Sequence, residues 1–132
     1  MKIKLSVVLL LAGIVIGYGF GHTTRPAAPT QTPVRVWTKA DSLAYAKTKI
    51  NQFAMKQYNC LANLWGKESA WDPSAYNKVK SMGMNAGGIP QVLGMSTLTP
   101  PRQQIDQGLQ YIYRRYGMPC TAWLHWKKKG WY

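Results

Sequence analysis

Glu68 is the only glutamate in the 132-residue chain, and it stands between Trp65 and Trp71. The other carboxylate side chains are Asp41, Asp72 and Asp106. A carboxyl group beside aromatic surface loses hydration, and desolvation disfavours its ionised form. A carboxylic acid that stays protonated near neutral pH is what glycosidic bond cleavage requires, because the leaving oxygen needs a proton. Taken alone, a helical Glu is more often a solvated or capping residue. Asp72, four residues on, sits beside Pro73 and reads as a helix breaker rather than a second catalytic carboxylate. Four carboxylates are too few for a carboxylate-cage metal site. Cys60 and Cys120 without a histidine cluster do not make a zinc site, so no metal or cofactor is expected. A Cys–His nucleophilic pair through His125 is the weaker alternative.

The elements that must position Glu68 can be read from hydrophobic spacing. Thr38 is a capping residue with Asp41 in the first turn, and Leu43, Ala46, Ile50, Phe53, Ala54 and Tyr58 recur every three or four residues. That predicts one amphipathic helix from Thr38 to Tyr58, broken at Asn59. A second helix carries Leu61, Leu64, Trp65 and Glu68 and ends near Ser69, before Asp72-Pro73. Residues 77–99 are rich in Gly, Met, Ser and Asn, with a short strand or turn expected near Ile89–Leu93. Pro100-Pro101 opens a helix through Ile105, Leu109, Ile112 and Tyr116, closed by Gly117 and Pro119. One or two further turns over 120–126 would carry Trp123 and Trp126. The expectation is a mainly α, compact helical domain with a long irregular central region, and such regions often line sites.

This domain, residues 37–132, follows two segments of different character. Residues 1–21 place Lys2 and Lys4 before an apolar run from Leu5 to Phe20, which reads as a signal peptide or an N-terminal membrane anchor. Residues 22–36 form a Pro-rich spacer, extended and polyproline-like. The domain is therefore expected outside the cytoplasm, secreted or held to the membrane by its N-terminal segment. In such a compartment Cys60 and Cys120 either form a bridge across about 60 residues, worth roughly 3–4 kcal/mol, or remain two buried thiols.

Lys and Arg number 17 against 4 Asp and Glu, a net charge of +13, with six Trp and eight Tyr. Aromatic faces stack on the C–H faces of sugar rings, and positive charge raises encounter rates with an anionic polymer. The same composition describes single-strand nucleic-acid binders. No zinc-finger, helix-turn-helix or RNP-like signature is present, and the export segment argues against nucleic acid as the partner.

Several separated motifs occur in one order: Glu68-Ser69-Ala70-Trp71-Asp72-Pro73-Ser74-Ala75-Tyr76-Asn77, then Gly88-Ile89-Pro90-Gln91, then Gly108-Leu109-Gln110-Tyr111-Ile112. Arg115-Tyr116-Gly117-Met118-Pro119-Cys120-Thr121-Ala122-Trp123 and a closing Gly130-Trp131-Tyr132 complete the set. Over residues 55–132 this resembles the small transglycosylase-like domain of the lytic transglycosylase and goose-type lysozyme superfamily, in the form found in secreted Gram-positive and phage-associated cell-wall enzymes. The resemblance implies a lysozyme-like fold, with Glu68 as the catalytic acid. It implies Ser69, Asn77 and Gln91 at or near the saccharide, aromatic contacts from Tyr111 and Tyr116, and a Cys60–Cys120 disulfide. Trp71, Tyr76, Trp123 and Trp126 are further candidates for sugar contact. The implied partner is the peptidoglycan glycan strand, bound by a monomer, and the implied reaction is cleavage between N-acetylmuramic acid and N-acetylglucosamine with a 1,6-anhydro product. Hydrolysis of the same bond, or a silent wall-binding domain, are the alternatives. The chain departs from the family pattern at Gly87, where many relatives carry a bulky residue, and in a longer, Met-rich segment from Lys78 to Ala86.

Overall fold

The computed structural model describes residues 35–50 and 54–132. The export or anchor segment 1–21 and nearly all of the spacer 22–36 lie outside the described residues. The described part is mainly helical: α1 (Lys39–Lys49), α2 (Met55–Glu68), α3 (Pro101–Tyr116) and α4 (Pro119–Lys129), with a two-stranded antiparallel ribbon of β1 (Ala86–Gly87) and β2 (Val92–Leu93) between α2 and α3. Among the described residues no helix is long and apolar enough to cross a membrane.

The start of α1 follows the sequence. Thr38 Oγ1 accepts from the Asp41 amide at 3.2 Å, and Asp41 Oδ2 accepts from the Thr38 amide at 2.8 Å, a complete capping box. Its end does not follow the sequence. The helix expected to reach Tyr58 stops at Lys49, Ile50 is extended (φ −100°, ψ 127°), and Tyr58 belongs to α2. Asn59 lies inside α2 on its exposed side and breaks nothing. Ile50 is buried in that extended conformation, so packing of a β-branched side chain overrides a spacing that would have continued the helix.

The core sits where α2, α3 and α4 meet. Leu61, Leu64, Trp65, Ile105, Ile112 and Ala122 are fully buried there. Gly108 allows the closest approach: a Cβ at this position would lie 2.6 Å from Pro90 Cβ and 2.7 Å from Trp65 Cζ2. α4 is longer than the one or two turns expected. Pro119 occupies its first turn, where a missing N–H costs nothing, and Lys127, Lys128 and Lys129 sit in its last turn against the negative end of the helix dipole. The disulfide expected from the family pattern is present: Cys60 of α2 is bonded to Cys120 of α4, with Cα atoms 4.9 Å apart.

The irregular region is held by one buried side chain. Gln104 Oε1 accepts from the Ile89 amide at 2.8 Å, while its Nε2 donates to the carbonyls of Thr99 (2.8 Å) and Pro73 (3.0 Å). Gly88, at φ +70°, passes so close that a Cβ would meet Gln104 Oε1 at 2.5 Å. Strand pairing is in register Ala86↔Leu93 and Gly87↔Val92, so the expected turn falls at Gly88–Gln91 with both strands beside it.

Candidate functional site

Glu68 is the last residue of α2, at a helix end that is fixed. The chain turns through Ala70 (φ 54°) and Trp71 (φ 66°), left-handed conformations that bulky residues rarely adopt. Three contacts hold Trp71 there. Its amide donates to Ser69 Oγ at 3.1 Å, its indole N–H donates to the Ala62 carbonyl at 3.1 Å, and its ring packs edge-on against Trp65 at 5.2 Å. Ser69 Oγ in turn donates to the Ile89 carbonyl at 2.6 Å, which ties the end of α2 to the Gly88–Gln91 turn.

Two further elements wall the carboxyl. Glu68 is half-buried, and its desolvation pushes its pKa above the ordinary carboxylate value; the Trp126 indole approaches from α4 and partly offsets that rise. Trp126 stacks on Trp123, with ring centroids 5.2 Å apart. The Tyr132 hydroxyl accepts from Trp65 Nε1 at 2.9 Å and donates to the Pro90 carbonyl, bridging α2 to the turn. Burial drives the Tyr132 pKa well above its ordinary value near 10, and the nearby Glu68 charge pushes the same way. The phenol is therefore a neutral donor at neutral pH.

The other three carboxylates are engaged elsewhere. Asp41 caps α1 and pairs with Arg35, and Thr38 holds its pKa down. Asp106 accepts from Tyr45 at 2.9 Å and pairs with Lys49 at 3.2 Å. Asp72 Oδ1 accepts from the amide (2.8 Å) and hydroxyl (2.7 Å) of Ser74, which lowers its pKa. Among the described residues, Glu68 is thus the one half-buried side-chain carboxyl outside any ion pair.

The residues singled out in the sequence fall into two groups. Ser69 and Trp71 are buried, with their polar atoms engaged inside the fold. Asn77 is exposed and orders the following loop, its Oδ1 accepting from the Val79 amide at 2.9 Å. Gln91, at φ 53°, donates from Nε2 to the Gly88 (2.9 Å) and Ala75 (3.1 Å) carbonyls. Tyr111, Tyr116 and Trp123 are half-buried.

Tyr111 and Tyr116 meet Tyr132 at 5.6 and 6.0 Å, and Tyr116 meets His125 at 5.3 Å. The Arg115 guanidinium lies over Tyr111, Tyr116 and Trp131 at 5.5–5.8 Å. The buried Tyr116 hydroxyl nears Arg115 and Tyr111 but closes no hydrogen bond, and His125 Nε2 is likewise buried and unpaired among the described residues. Of the aromatic residues that reach Glu68, Trp126 was among the expected sugar contacts, and Tyr132 was missing from them. The signal for Tyr132 was the closing Gly130-Trp131-Tyr132.

A shallow depression of about 420 Å³ lies on the other side of α3, lined by Lys49, Asp106, Leu109, Gln110, Tyr113 and Arg114. Its lining includes neither Glu68 nor the aromatic residues around it, and its one carboxylate is already paired with Lys49. Among the described residues no group of His, Cys, Asp and Glu could hold a metal ion. No family model, no curated protein and no solved structure matches the chain.

Proposed function

We propose that this chain is a lytic transglycosylase that cleaves peptidoglycan glycan strands, with residues 37–132 forming a small lysozyme-like domain. The observation that carries this reading is the state of Glu68: the one half-buried side-chain carboxyl outside any ion pair among the described residues, set in an aromatic wall. Desolvation raises the Glu68 pKa above the ordinary carboxylate value, the direction a general acid needs.

A one-carboxylate route suits this inventory. Glu68 gives its proton to the oxygen joining N-acetylmuramic acid to N-acetylglucosamine, and the C1–O bond breaks. The substrate's own 2-acetamido oxygen stabilises the positive charge at C1. The Glu68 carboxylate then takes the proton from the C6 hydroxyl, and the C6 oxygen bonds C1 to close the 1,6-anhydro ring. Each turn returns the acid to its protonated state. Two-carboxylate routes need a second free carboxylate, and Asp41, Asp72 and Asp106 are engaged elsewhere.

Tyr111, Tyr116 and Trp123 are half-buried aromatic candidates for sugar contact, and the +13 charge favours an anionic wall over a neutral polymer. The disulfide supports an oxidising, extracytoplasmic location, reached by secretion or by retention on the membrane through residues 1–21. The domain acts as a monomer and without a cofactor in this reading.

Mass spectrometry of purified peptidoglycan after digestion tests the proposal. Anhydro-muropeptides are the expected product, and the Glu68→Gln variant should lose activity by a factor on the order of 10²–10⁴. Reducing-end products would assign hydrolysis to the same acid. Equal wall clearing by wild type and Glu68→Gln would overturn the enzymatic reading.

A further inference from the structure

The Met-rich segment that departs from the family pattern is a hairpin tip with unusual chemistry. Ser81 and Met84 exchange both backbone hydrogen bonds, at 2.8 and 3.0 Å, leaving Met82 and Gly83 as the central pair. Both have positive φ, 53° and 78°, as a type I′ turn requires. Asn, Asp or Gly usually fills the first central position, because a longer side chain resists the left-handed conformation. Here it is a methionine, 84% exposed, with Val79 75% and Met84 44% exposed beside it. These side chains add almost nothing to the core. The base of the hairpin is nevertheless well ordered: the Asn77 amide donates to the Ala86 carbonyl at 2.9 Å, and Asn85 Nδ2 donates to the Asn77 carbonyl at 2.9 Å.

The charge pattern selects the occupant. Exposed Lys78 and Lys80 alternate with Val79, and no carboxylate lies between Asp72 and Asp106. Three aliphatic side chains are far too few for a stable protein interface, which buries about 800 Å² on each partner. They also lack the flat faces and amide groups that hold sugars. They do suit a bilayer interface, where apolar groups enter the acyl boundary while lysines keep their ammonium groups at the phosphates. We propose that the tip formed by Lys78–Met84 is a membrane-contact element that seats Val79, Met82 and Met84 in the interface of an anionic bilayer, with Lys78 and Lys80 on the lipid phosphates. This holds independently of glycan cleavage, and it would orient the domain relative to a membrane surface.

The full chain, with its disulfide intact, is labelled with an environment-sensitive fluorophore at Met82→Cys. Ser81→Cys repeats the reading with Met82 in place, and Gln103→Cys on the exposed side of α3 serves as the control. With phosphatidylglycerol vesicles the tip labels should shift to the blue and be quenched by brominated lipid, and the control should not. Lys78→Gln/Lys80→Gln should raise the lipid concentration needed for half the shift by roughly 30-fold, about fivefold for each lysine. Tip labels that stay in water on chains bound to anionic vesicles would overturn the proposal. So would an equal shift on phosphatidylcholine vesicles, or a shift produced by purified glycan strands and not by lipid.

Discussion

Replacing Tyr132 with Phe keeps the ring and removes one oxygen, and that oxygen joins two buried groups. In Tyr132→Phe the Trp65 N–H, on a fully buried side chain, loses its acceptor at 2.9 Å, and the Pro90 carbonyl loses its donor. A buried polar group left unpaired costs about 1–3 kcal/mol, and a carbonyl suffers less than an N–H. The two together give about 2–4 kcal/mol, with no cavity term because the ring contacts with Tyr111 and Tyr116 persist. For a domain near 100 residues, 1 kcal/mol moves Tm by roughly 4–8 °C, so the expected loss is on the order of 10–20 °C. Thermal unfolding by circular dichroism, with the disulfide intact, measures it. The loss should also be independent of pH through the neutral range, because the raised Tyr132 pKa keeps the phenol neutral throughout. A Tm within about 3 °C of wild type, a shift too small for even one unpaired buried group, would refute the claim that this hydroxyl clamps the Gly88–Gln91 turn to α2.

Three further outcomes follow from the same contacts. Glu68→Gln should be more stable than wild type at neutral pH, and the gap should close in acid: the folded pKa is raised by desolvation, so wild-type stability is greatest below the ordinary carboxylate pKa and falls as pH rises through the folded one. Urea unfolding across pH checks this, and a gap that widens in acid contradicts it. Cys60→Ser/Cys120→Ser removes a cross-link 60 residues apart and should lower stability by about 4 kcal/mol in the chain-entropy account, read from urea unfolding with the m-value fitted separately because the freed unfolded chain expands. Gly108→Ala gains about 0.5–1 kcal/mol of helix propensity but places a Cβ 2.6–2.7 Å from Pro90 and Trp65, and overpacking of about 1–3 kcal/mol should win; a stabilised variant in thermal melts would show that α3 can move away.

The parts of the fold legible in the sequence were those fixed locally. The Thr38–Asp41 capping box, Pro101 at the start of α3, Gly117 at its end and the stripe Ile105, Leu109, Ile112 all depend on neighbours within one or two turns. The break at Ile50 was not legible, because periodicity continued across it and burial of Ile50 in an extended conformation decided it. At the candidate site, Glu68 stood out by rarity and by its tryptophans. Its actual wall could not be derived from spacing: Trp126 and Tyr132 lie 58 and 64 positions away in sequence and arrive through the packing of α4 on α2. Trp71 illustrates the converse. Its place beside Glu68 suggested a sugar contact, yet a left-handed turn directs it inward, where it braces the helix end.

The net charge of +13 sharpens what that wall accomplishes. In so cationic a chain a carboxylate is normally held ionised by its neighbours, as Asp41 is by the α1 cap and Arg35. The collective positive field acts on Glu68 in the same direction, but it reaches across solvent and fades over a Debye length of about 10 Å at 0.1 M salt. Loss of hydration acts at contact and is not screened. Lys67, adjacent in sequence, is about 100° away around α2 and is exposed. The groups that reach Glu68 from α4 and from the tail beyond it are an indole and a neutral phenol, neither of which supplies a positive charge. The raised pKa therefore rests on loss of hydration within that aromatic packing, and a lysine introduced at Trp126 should lower it while leaving the net charge almost unchanged.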